Sequence, residues 1–205
     1  MKKFIIFFVI GSFLTCNIFA TGLGIRGGLL FSAGSNWNSD MDAATSGSDK
    51  KIMIGGDIAA YAKVPINKNV FLQPEINLMI HNGLGFTKNS KTTEITYNSV
   101  DFPVLAGYQM PVPFGIMNFM GGLNISLPLG KLQYKSDVYD DDSKKIDSNI
   151  ILGGVLGVAA NFKVSGGLIV VDGRYVFDFS DMKAEGTKYY TRRCFVISAG
   201  YQYHL

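Results

Sequence analysis

Two histidines, His81 and His204, are the first residues to consider for catalytic or metal-binding chemistry. They lie at the ends of two different predicted strands, one beside a long connection and the other beside a short turn. Strand ends of these two kinds lie at opposite edges of an antiparallel sheet, about 25 Å apart, so the histidines cannot share one site. The acidic run 137–145 lacks the alternating ligands, glycine and distal glutamate of a calcium loop. We find no G-x-S-x-G nucleophile motif. We therefore expect no enzyme activity, no cofactor and no metal site.

A second set of chemically active residues is charged and alternates with apolar neighbours along predicted strands. Its members are Arg26, Asp57, Lys63, Glu75, Asp101, Asp172, Arg174 and Asp178. Charges enclosed by a protein are stable only when they are paired with opposite charges and hydrogen-bonded. We predict that these side chains form one structural ion network. Within it, Arg174 is expected to be the central cation among Glu75, Asp101 and Asp172.

The elements that position these residues show a period of two, which is typical of strands. In the segment Leu72–His81, for example, even positions are apolar or proline and most odd positions are polar. The same test predicts eight strands of about ten residues or more. They lie near residues 23–31, 52–64, 72–81, 100–110, 117–127, 150–162, 169–179 and 195–205.

The connections between these strands alternate between long and short. The long ones cover residues 34–51, 86–93 and 130–147, and the short ones cover 65–69, 111–115 and 163–166. The last connection, at 181–190, is of medium length. This alternation predicts an all-β, eight-stranded, antiparallel, up-and-down barrel with its long loops on one side. A soluble eight-stranded barrel of the lipocalin type is the structural alternative.

Composition favours the membrane barrel over its soluble alternative. The chain is 47% hydrophobic and only 17% charged, whereas soluble domains average about 25% charged residues. Aromatic residues lie mostly near predicted strand ends, as in the interfacial girdles of membrane barrels. The net charge is +3, and without Lys2 and Lys3 it is 17 − 16 = +1. Because the cations do not cluster, we expect no nucleic-acid partner.

The N-terminal residues 1–20 combine Lys2 and Lys3 with an apolar stretch of about eleven residues, and they end at Ala20. This pattern is typical of a secretory signal peptide, and the stretch is shorter than the roughly 20 residues of a spanning helix. Lipidation at Cys16 is the less favoured alternative, since Thr15 precedes it. The barrel domain is then expected to cover residues 21–205, and Cys194 would be its single cysteine.

The last strand keeps its alternating apolar face to the end of the chain. Ser198, Gly200, Tyr203 and Leu205 resemble the C-terminal assembly signal of bacterial outer-membrane barrels. The segments Asp101–Tyr108, Gly121–Ser126 and Asp172–Tyr175 are similar to the outer-membrane protein beta-barrel domain family, whose members are often described as porin-family proteins. This resemblance implies an outer-membrane location, contact with membrane lipid and insertion by the barrel-assembly machinery.

Eight strands enclose a lumen that side chains fill. We therefore expect a closed barrel with a structural or surface-interaction role, in which the loops at 34–51 and 130–147 contact an external partner. A small porin-like diffusion channel is the first alternative, and a barrel enzyme acting on lipids is the second.

Overall fold

The computed structural model describes residues 21–32, 36–37, 47–137, 142–147, 150–188 and 190–204. Most of these residues belong to eight long strands that form one closed sheet. The strands are β1 (Gly22–Ser32), β2 (Met53–Pro65), β3 (Val70–Lys88), β4 (Lys91–Val112), β5 (Gly115–Ser136), β6 (Ile151–Val164), β7 (Gly167–Asp178) and β8 (Arg193–His204). No described residue belongs to a helix that is long and apolar enough to cross a membrane.

Each of the first seven strands pairs antiparallel with the next strand in the chain. The first strand also pairs with the last, from Gly22 opposite His204 to Phe31 opposite Phe195. This final pairing closes the barrel and leaves β1 and β8 without a free edge. The predicted eight-stranded, antiparallel, up-and-down barrel is confirmed.

The two faces of the barrel wall have opposite chemistry. On β1, Ile25 and Leu29 are 68% and 55% exposed, whereas Arg26 between them is 4% exposed. Likewise Val104 on β4 is 53% exposed, and Asn124 on β5 is 1% exposed. A soluble barrel is apolar inside and polar outside, and a membrane barrel reverses this arrangement because its outer wall meets lipid. The observed wall is that of a membrane barrel.

The short turns lie at one end of the barrel and are stabilised locally. In the turn between β2 and β3, Asn67 Oδ1 accepts hydrogen bonds from the backbone N–H groups of Asn69 and Val70, both at 2.9 Å. In the turn between β6 and β7, Gly166 has φ of +82°, a left-handed conformation that favours glycine. We call this end, which also carries His204, the inner end of the barrel.

Two of the long connections at the opposite, outer end contain more strand than the sequence predicts. The expected loop 86–93 is instead a hairpin, because β3 and β4 continue to a two-residue turn at Asn89 and Ser90. Both turn residues have positive φ, +52° and +63°, as in the turns whose twist matches paired strands. Much of the expected loop 130–147 is also strand, because β5 continues to Ser136.

Short strand segments extend the sheet and the loops at the outer end. Asp49–Lys51 pairs with β3, and Asp142–Lys145 pairs with β5. Two further pairings join Lys183–Ala184 to Thr187–Lys188 and Asn36–Trp37 to Tyr190–Thr191. Residues 34–35, 38–46, 138–141 and 189 of the predicted loops lie outside the described residues.

A β-bulge at His81 separates the membrane wall from the outer part of the sheet. We call this part, residues 82–88, 91–97 and 130–136, the outer extension. Up to Met79 the odd-numbered side chains of β3 point inward, and beyond the bulge the even-numbered side chains of Asn82 and Leu84 are buried. His81 has φ of +59°, and its N–H donates to Asn98 Oδ1 at 2.9 Å. The extra residue reverses the inward parity of β3 and so lets an apolar face form above the lumen.

That apolar face supports a small hydrophobic core outside the membrane wall. Its buried members are Leu84, Ile95, Tyr97, Leu132, Ile151, Met182 and Ala184, with Tyr134 and Ile146 packed against them. Met182 and Ala184 come from the loop that follows β7, and Ile146 forms an isolated bridge with Ala184. We call the segments 142–147 and 181–188 the outer cap, since they cover the extended ends of β3, β4 and β5.

Candidate functional site

The lumen of the barrel contains the charged side chains that the sequence predicts. All eight members of the predicted network are buried, with exposures between 0% for Asp101 and 7% for Asp178. They do not form one network, however. Five of them form a central ion cluster, two form an outer ion cluster with a ninth residue, and Lys63 belongs to neither.

The central ion cluster consists of Arg26, Asp57, Glu75, Asp172 and Arg174. Glu75 bridges the two cations, because its Oε2 accepts from Arg26 Nη2 at 2.9 Å and from Arg174 Nη1 at 2.6 Å. Arg26 Nη1 also donates to Asp57 Oδ2 at 3.0 Å. Arg174 Nε donates to Asp172 Oδ2 at 2.7 Å. The five side chains therefore make a continuous chain of ion pairs across the lumen.

Four strands supply this cluster, and the period of two explains how. Arg26, Asp57 and Glu75 come from β1, β2 and β3, and the other two residues come from β7. Asp172 and Arg174 are two positions apart, so they point to the same side of the sheet. Gly157 leaves room for the Arg174 side chain, because a Cβ atom at Gly157 would lie only 3.2 Å from Arg174 Cγ. Chain segments distant in sequence are thus joined through their side chains.

Neutral donors add hydrogen bonds to two of the three central carboxylates, those of Glu75 and Asp172. Gln73 Nε2 donates to Glu75 Oε1 at 2.7 Å, and Ser198 Oγ donates to Asp172 Oδ1 at 2.5 Å. Buried carboxylates need such donors because the loss of water is otherwise not compensated. The cluster therefore contains two guanidinium groups and three carboxyl groups, and of the carboxylates only Asp57 keeps a buried oxygen, Oδ1, without a hydrogen bond to another described group.

The outer ion cluster consists of Asp101, Asp178 and Arg192. Arg192 Nη2 donates to Asp101 Oδ2 and Asp178 Oδ1, both at 2.8 Å, and its Nε lies 3.2 Å from the same Asp178 oxygen. Asp101 also accepts from three neutral groups: Ser99 Oγ at 2.8 Å, Asn124 Nδ2 at 2.7 Å and Ser126 Oγ at 2.6 Å. This cluster connects β4 and β7 to the residue immediately before β8.

The prediction that Arg174 pairs with Asp101 is therefore wrong. Arg174 contacts Glu75 and Asp172, but Asp101 pairs with Arg192 instead. Arg192 is 1% exposed and precedes the first residue of β8, so it falls just beyond the expected loop and before the expected strand. Its even number is the signal that sequence reasoning missed, because Cys194, Val196 and Ser198 share that parity and are also buried.

The inner part of the lumen has a different chemistry. Lys63 is 6% exposed, and its Nζ lies 4.0 Å above the centre of the Phe71 ring, a cation–π contact. Asn118 and Asn161 are buried as well, and neither polar atom of the Asn161 side chain hydrogen-bonds to another described group. This region holds neutral amides and one cation in place of ion pairs.

The histidines do not contribute to either cluster. His81 lies at the bulge near the outer end, whereas His204 is paired with Gly22 at the inner end. Within the described part of the chain, no group of three or more His, Cys, Asp or Glu side chains is placed to hold a metal ion.

The predicted assembly signal lies on β8 except for its last residue. Ser198 points into the lumen toward Asp172, and Tyr203 is 55% exposed on the outer wall. Gly200 pairs with Arg26 of β1, where an added Cβ would meet the Ile25 carbonyl oxygen. Leu205, the predicted signal peptide 1–20 and Cys16 lie outside the described residues.

An apolar outer wall around a charged, enclosed lumen defines a transmembrane β-barrel of the outer-membrane class. The family comparison agrees: the model of the outer membrane protein beta-barrel domain matches residues 20–184. The chain belongs to this family and is an integral protein of the outer membrane. No curated protein matches the chain.

Several solved outer-membrane structures resemble the chain at low identity. The attachment invasion locus protein Ail of Yersinia pestis is 14% identical, with a TM-score of 0.41 over 90% of this chain and 99% of that one. Neisserial surface protein A is 14% identical, with a TM-score of 0.45 over 89% and 97%. The protease OmpT of Escherichia coli is 9% identical, with a TM-score of 0.43 over 91% and 94%. Because these values are low, the family assignment depends on the family model alone.

Proposed function

We propose that this outer-membrane surface protein is a closed barrel with a structural or surface-interaction role, and that it is neither a diffusion channel nor an enzyme. In this proposal the ion clusters hold the barrel shut and rigid. The outer loops, including 34–51 and 130–147, present the contact surface to an external partner. Membrane lipid surrounds the wall, and the barrel-assembly machinery recognises the end of β8 through Ser198, Gly200, Tyr203 and Leu205.

The observation that carries the proposal is the chain of ion pairs across the lumen. In each contact of this chain the nitrogen–oxygen distance is between 2.6 and 3.0 Å. The chain runs from Asp57 through Arg26, Glu75 and Arg174 to Asp172. An ion that crosses the lumen would have to displace these groups from one another. Separating one buried pair costs about 3–5 kcal/mol, so spontaneous opening would be rare.

The outer end offers a second, independent support for closure. Arg192 ties the end of the long β7–β8 loop to Asp101 and Asp178, and the outer cap buries Met182 and Ala184 against the extended sheet. A loop that contributes both to a buried ion pair and to a hydrophobic core is held at two points. In the proposal, these two attachments keep the outer mouth covered.

Conductance of the purified protein in planar lipid bilayers tests this function. We expect no stable conductance steps from the natural sequence. The Arg174→Ala variant should conduct in brief steps, because it breaks the central chain of ion pairs and leaves a gap that water can fill. An Arg193→Ala variant is the control, since Arg193 is exposed next to the buried Arg192. Stable steps from the natural sequence would establish the diffusion channel instead.

A further inference from the structure

The outward face of β5 changes from apolar to cationic in a single step. Leu123 and Leu129 are 68% and 42% exposed on the outer wall. The next outward residue is Lys131, which is exposed. Its neighbour Leu132 is 1% exposed in the hydrophobic core under the outer cap, so the two side chains lie on opposite faces of the strand. Lys131 therefore continues the row of residues that faces lipid.

A second lysine lies directly opposite Lys131. The segment Asp142–Lys145 pairs with β5 so that Lys145 faces Lys131 and Lys144 faces Leu132. Lys145 is exposed, and it shares the outward face with Lys131. Residues directly opposite in an antiparallel pair have Cβ atoms about 4.5–5.5 Å apart, and like charges at that separation destabilise the sheet. The stability of the sheet alone does not account for this lysine pair.

Nearby charges on the outer extension are compensated differently. Lys51 Nζ lies 2.9 Å from Glu94 Oε1, and Glu94 is directly opposite Lys135. In contrast, no carboxylate lies opposite Lys131 or Lys145 in the described ladder. The Lys131 ammonium donates to a neutral group, Ser143 Oγ, at 3.4 Å. The pair thus presents two positive charges at the edge of the apolar wall.

We infer that Lys131 and Lys145 bind the phosphate groups of anionic lipids in the outer leaflet. On β4, Asn98 lies opposite Leu129 and Thr96 lies opposite Gln133, so the irregular segment 130–132, in which Gly130 has φ of +71°, advances by less than about 7 Å along the strand, or about 5 Å in height at a tilt of about 40°. Lys131 therefore lies just beyond the hydrocarbon boundary that Leu129 marks, where lipid phosphates are found. The positive charges of the two lysines favour an anionic ligand. Their position next to the hydrocarbon boundary favours a lipid phosphate over an anion in solution.

This inference is independent of whether the lumen conducts, because both lysines lie on the outer face of the barrel. A second lysine pair, Lys88 opposite Lys91, provides a matched comparison. These two residues flank the turn at the tip of the β3–β4 hairpin, farther along the outer extension than the lysines at the wall. The two pairs have equal charge and similar strand pairing but differ in depth.

The test is a titration of the full-length protein, purified in a neutral detergent, with phosphatidic acid. Binding is measured by calorimetry for the natural sequence, for Lys131→Gln/Lys145→Gln and for Lys88→Gln/Lys91→Gln. We expect about thirtyfold weaker binding in the first variant, the effect of two lysines at a membrane surface. In the second variant the dissociation constant should change by less than about threefold. Equal losses in both variants, or no loss in either, would overturn the inference.

Two further measurements distinguish a lipid site from a structural lysine pair and from a general anion site. Lys145→Glu places a carboxylate opposite Lys131, so it should abolish the binding of phosphatidic acid without lowering the thermal stability of the barrel in neutral detergent. A loss of stability in that variant would assign the pair a structural role and contradict the inference. Inorganic phosphate and dextran sulfate are tested in the same way. If either soluble anion binds as tightly as the lipid, the site is not a lipid site.

Discussion

The central and outer ion clusters use the same chemistry on different supports. In both, a guanidinium group bridges carboxylates at 2.6 to 2.9 Å inside the barrel. All five central residues are on strands of the closed sheet, whereas Arg192 of the outer cluster precedes β8. A strand fixes the direction of a side chain through its hydrogen-bonded neighbours, but a loop can move as a whole. The difference indicates that the central cluster holds the barrel together and that the outer cluster holds a loop down.

The largest expected effect follows from Arg174→Ala in the central cluster. The substitution leaves Asp172 without its 2.7 Å cation and Glu75 with Arg26 as its only cation, at a position where water has little access. We expect the free energy of unfolding to fall by about 3–5 kcal/mol, the range for breaking a buried ion pair. Urea titration of the barrel in lipid vesicles, followed by the shift between folded and unfolded bands on gels, measures the change.

The control for this prediction is Arg193→Ala, the removal of an exposed arginine from β8. The interactions of an exposed cation contribute about 0–1 kcal/mol, so this variant should lose much less stability than Arg174→Ala. If the two variants were equally stable, the central cluster would not hold the barrel together, and the comparison between clusters would fail.

A smaller effect is expected from Arg192→Ala in the outer cluster. The loop before β8 can move outward and admit water to Asp101 and Asp178, so the cost should be about 1–3 kcal/mol, the range for an incompletely satisfied buried group. Hydrogen exchange should accelerate in residues 182–191 and remain unchanged in β1 and β3. A loss as large as that of Arg174→Ala, without faster exchange in the loop, would contradict the distinction between the clusters.

The contrast between the clusters also explains which parts of the site the sequence predicts. Alternation places Arg26, Glu75 and Arg174 on inward positions of regular strands, and parity alone is enough to group them. It does not tell which carboxylate pairs with which cation, because the relative height of two strands depends on their register. Asp101 is inward as expected, but in the folded barrel it lies beside the outer mouth and pairs with Arg192.

The outer extension was less predictable for a local reason. The polar residues in 86–93 suggest a loop, but they form the end of a hairpin. This part of the sheet lies beyond the membrane, so its strands do not need an apolar face toward lipid. The bulge at His81 reverses the parity of β3, so a single alternating pattern cannot be followed through it. The eight strands and their inward faces follow from the sequence, whereas the outer cap depends on contacts between distant loops.

Neutral donors provide a finer test of the same comparison. Ser198 donates to Asp172 in the central cluster, and Ser126 donates to Asp101 in the outer one. Asp101 keeps Ser99 and Asn124 as donors when Ser126 is removed. We expect Ser198→Ala to lower the free energy of unfolding by about 1.5 kcal/mol and Ser126→Ala by about 0.5 kcal/mol. Urea titration of both variants measures the difference, and the reverse order would show that the outer carboxylate is the less well satisfied.

The smallest expected quantity is the coupling between the two clusters. Arg174 pairs with Glu75 and Asp172, and Arg192 pairs with Asp101 and Asp178, so the two arginines share no ion-pair partner. Sites without common partners usually have additive effects, with deviations within about 0.3–0.5 kcal/mol. We therefore expect the double variant Arg174→Ala/Arg192→Ala to lose the sum of the two single losses, measured by urea titration under the same conditions. An interaction energy above about 1 kcal/mol would mean that the clusters act as one network after all. In that case the loop before β8 would be part of the structural core, and its release would open the lumen and the outer mouth together.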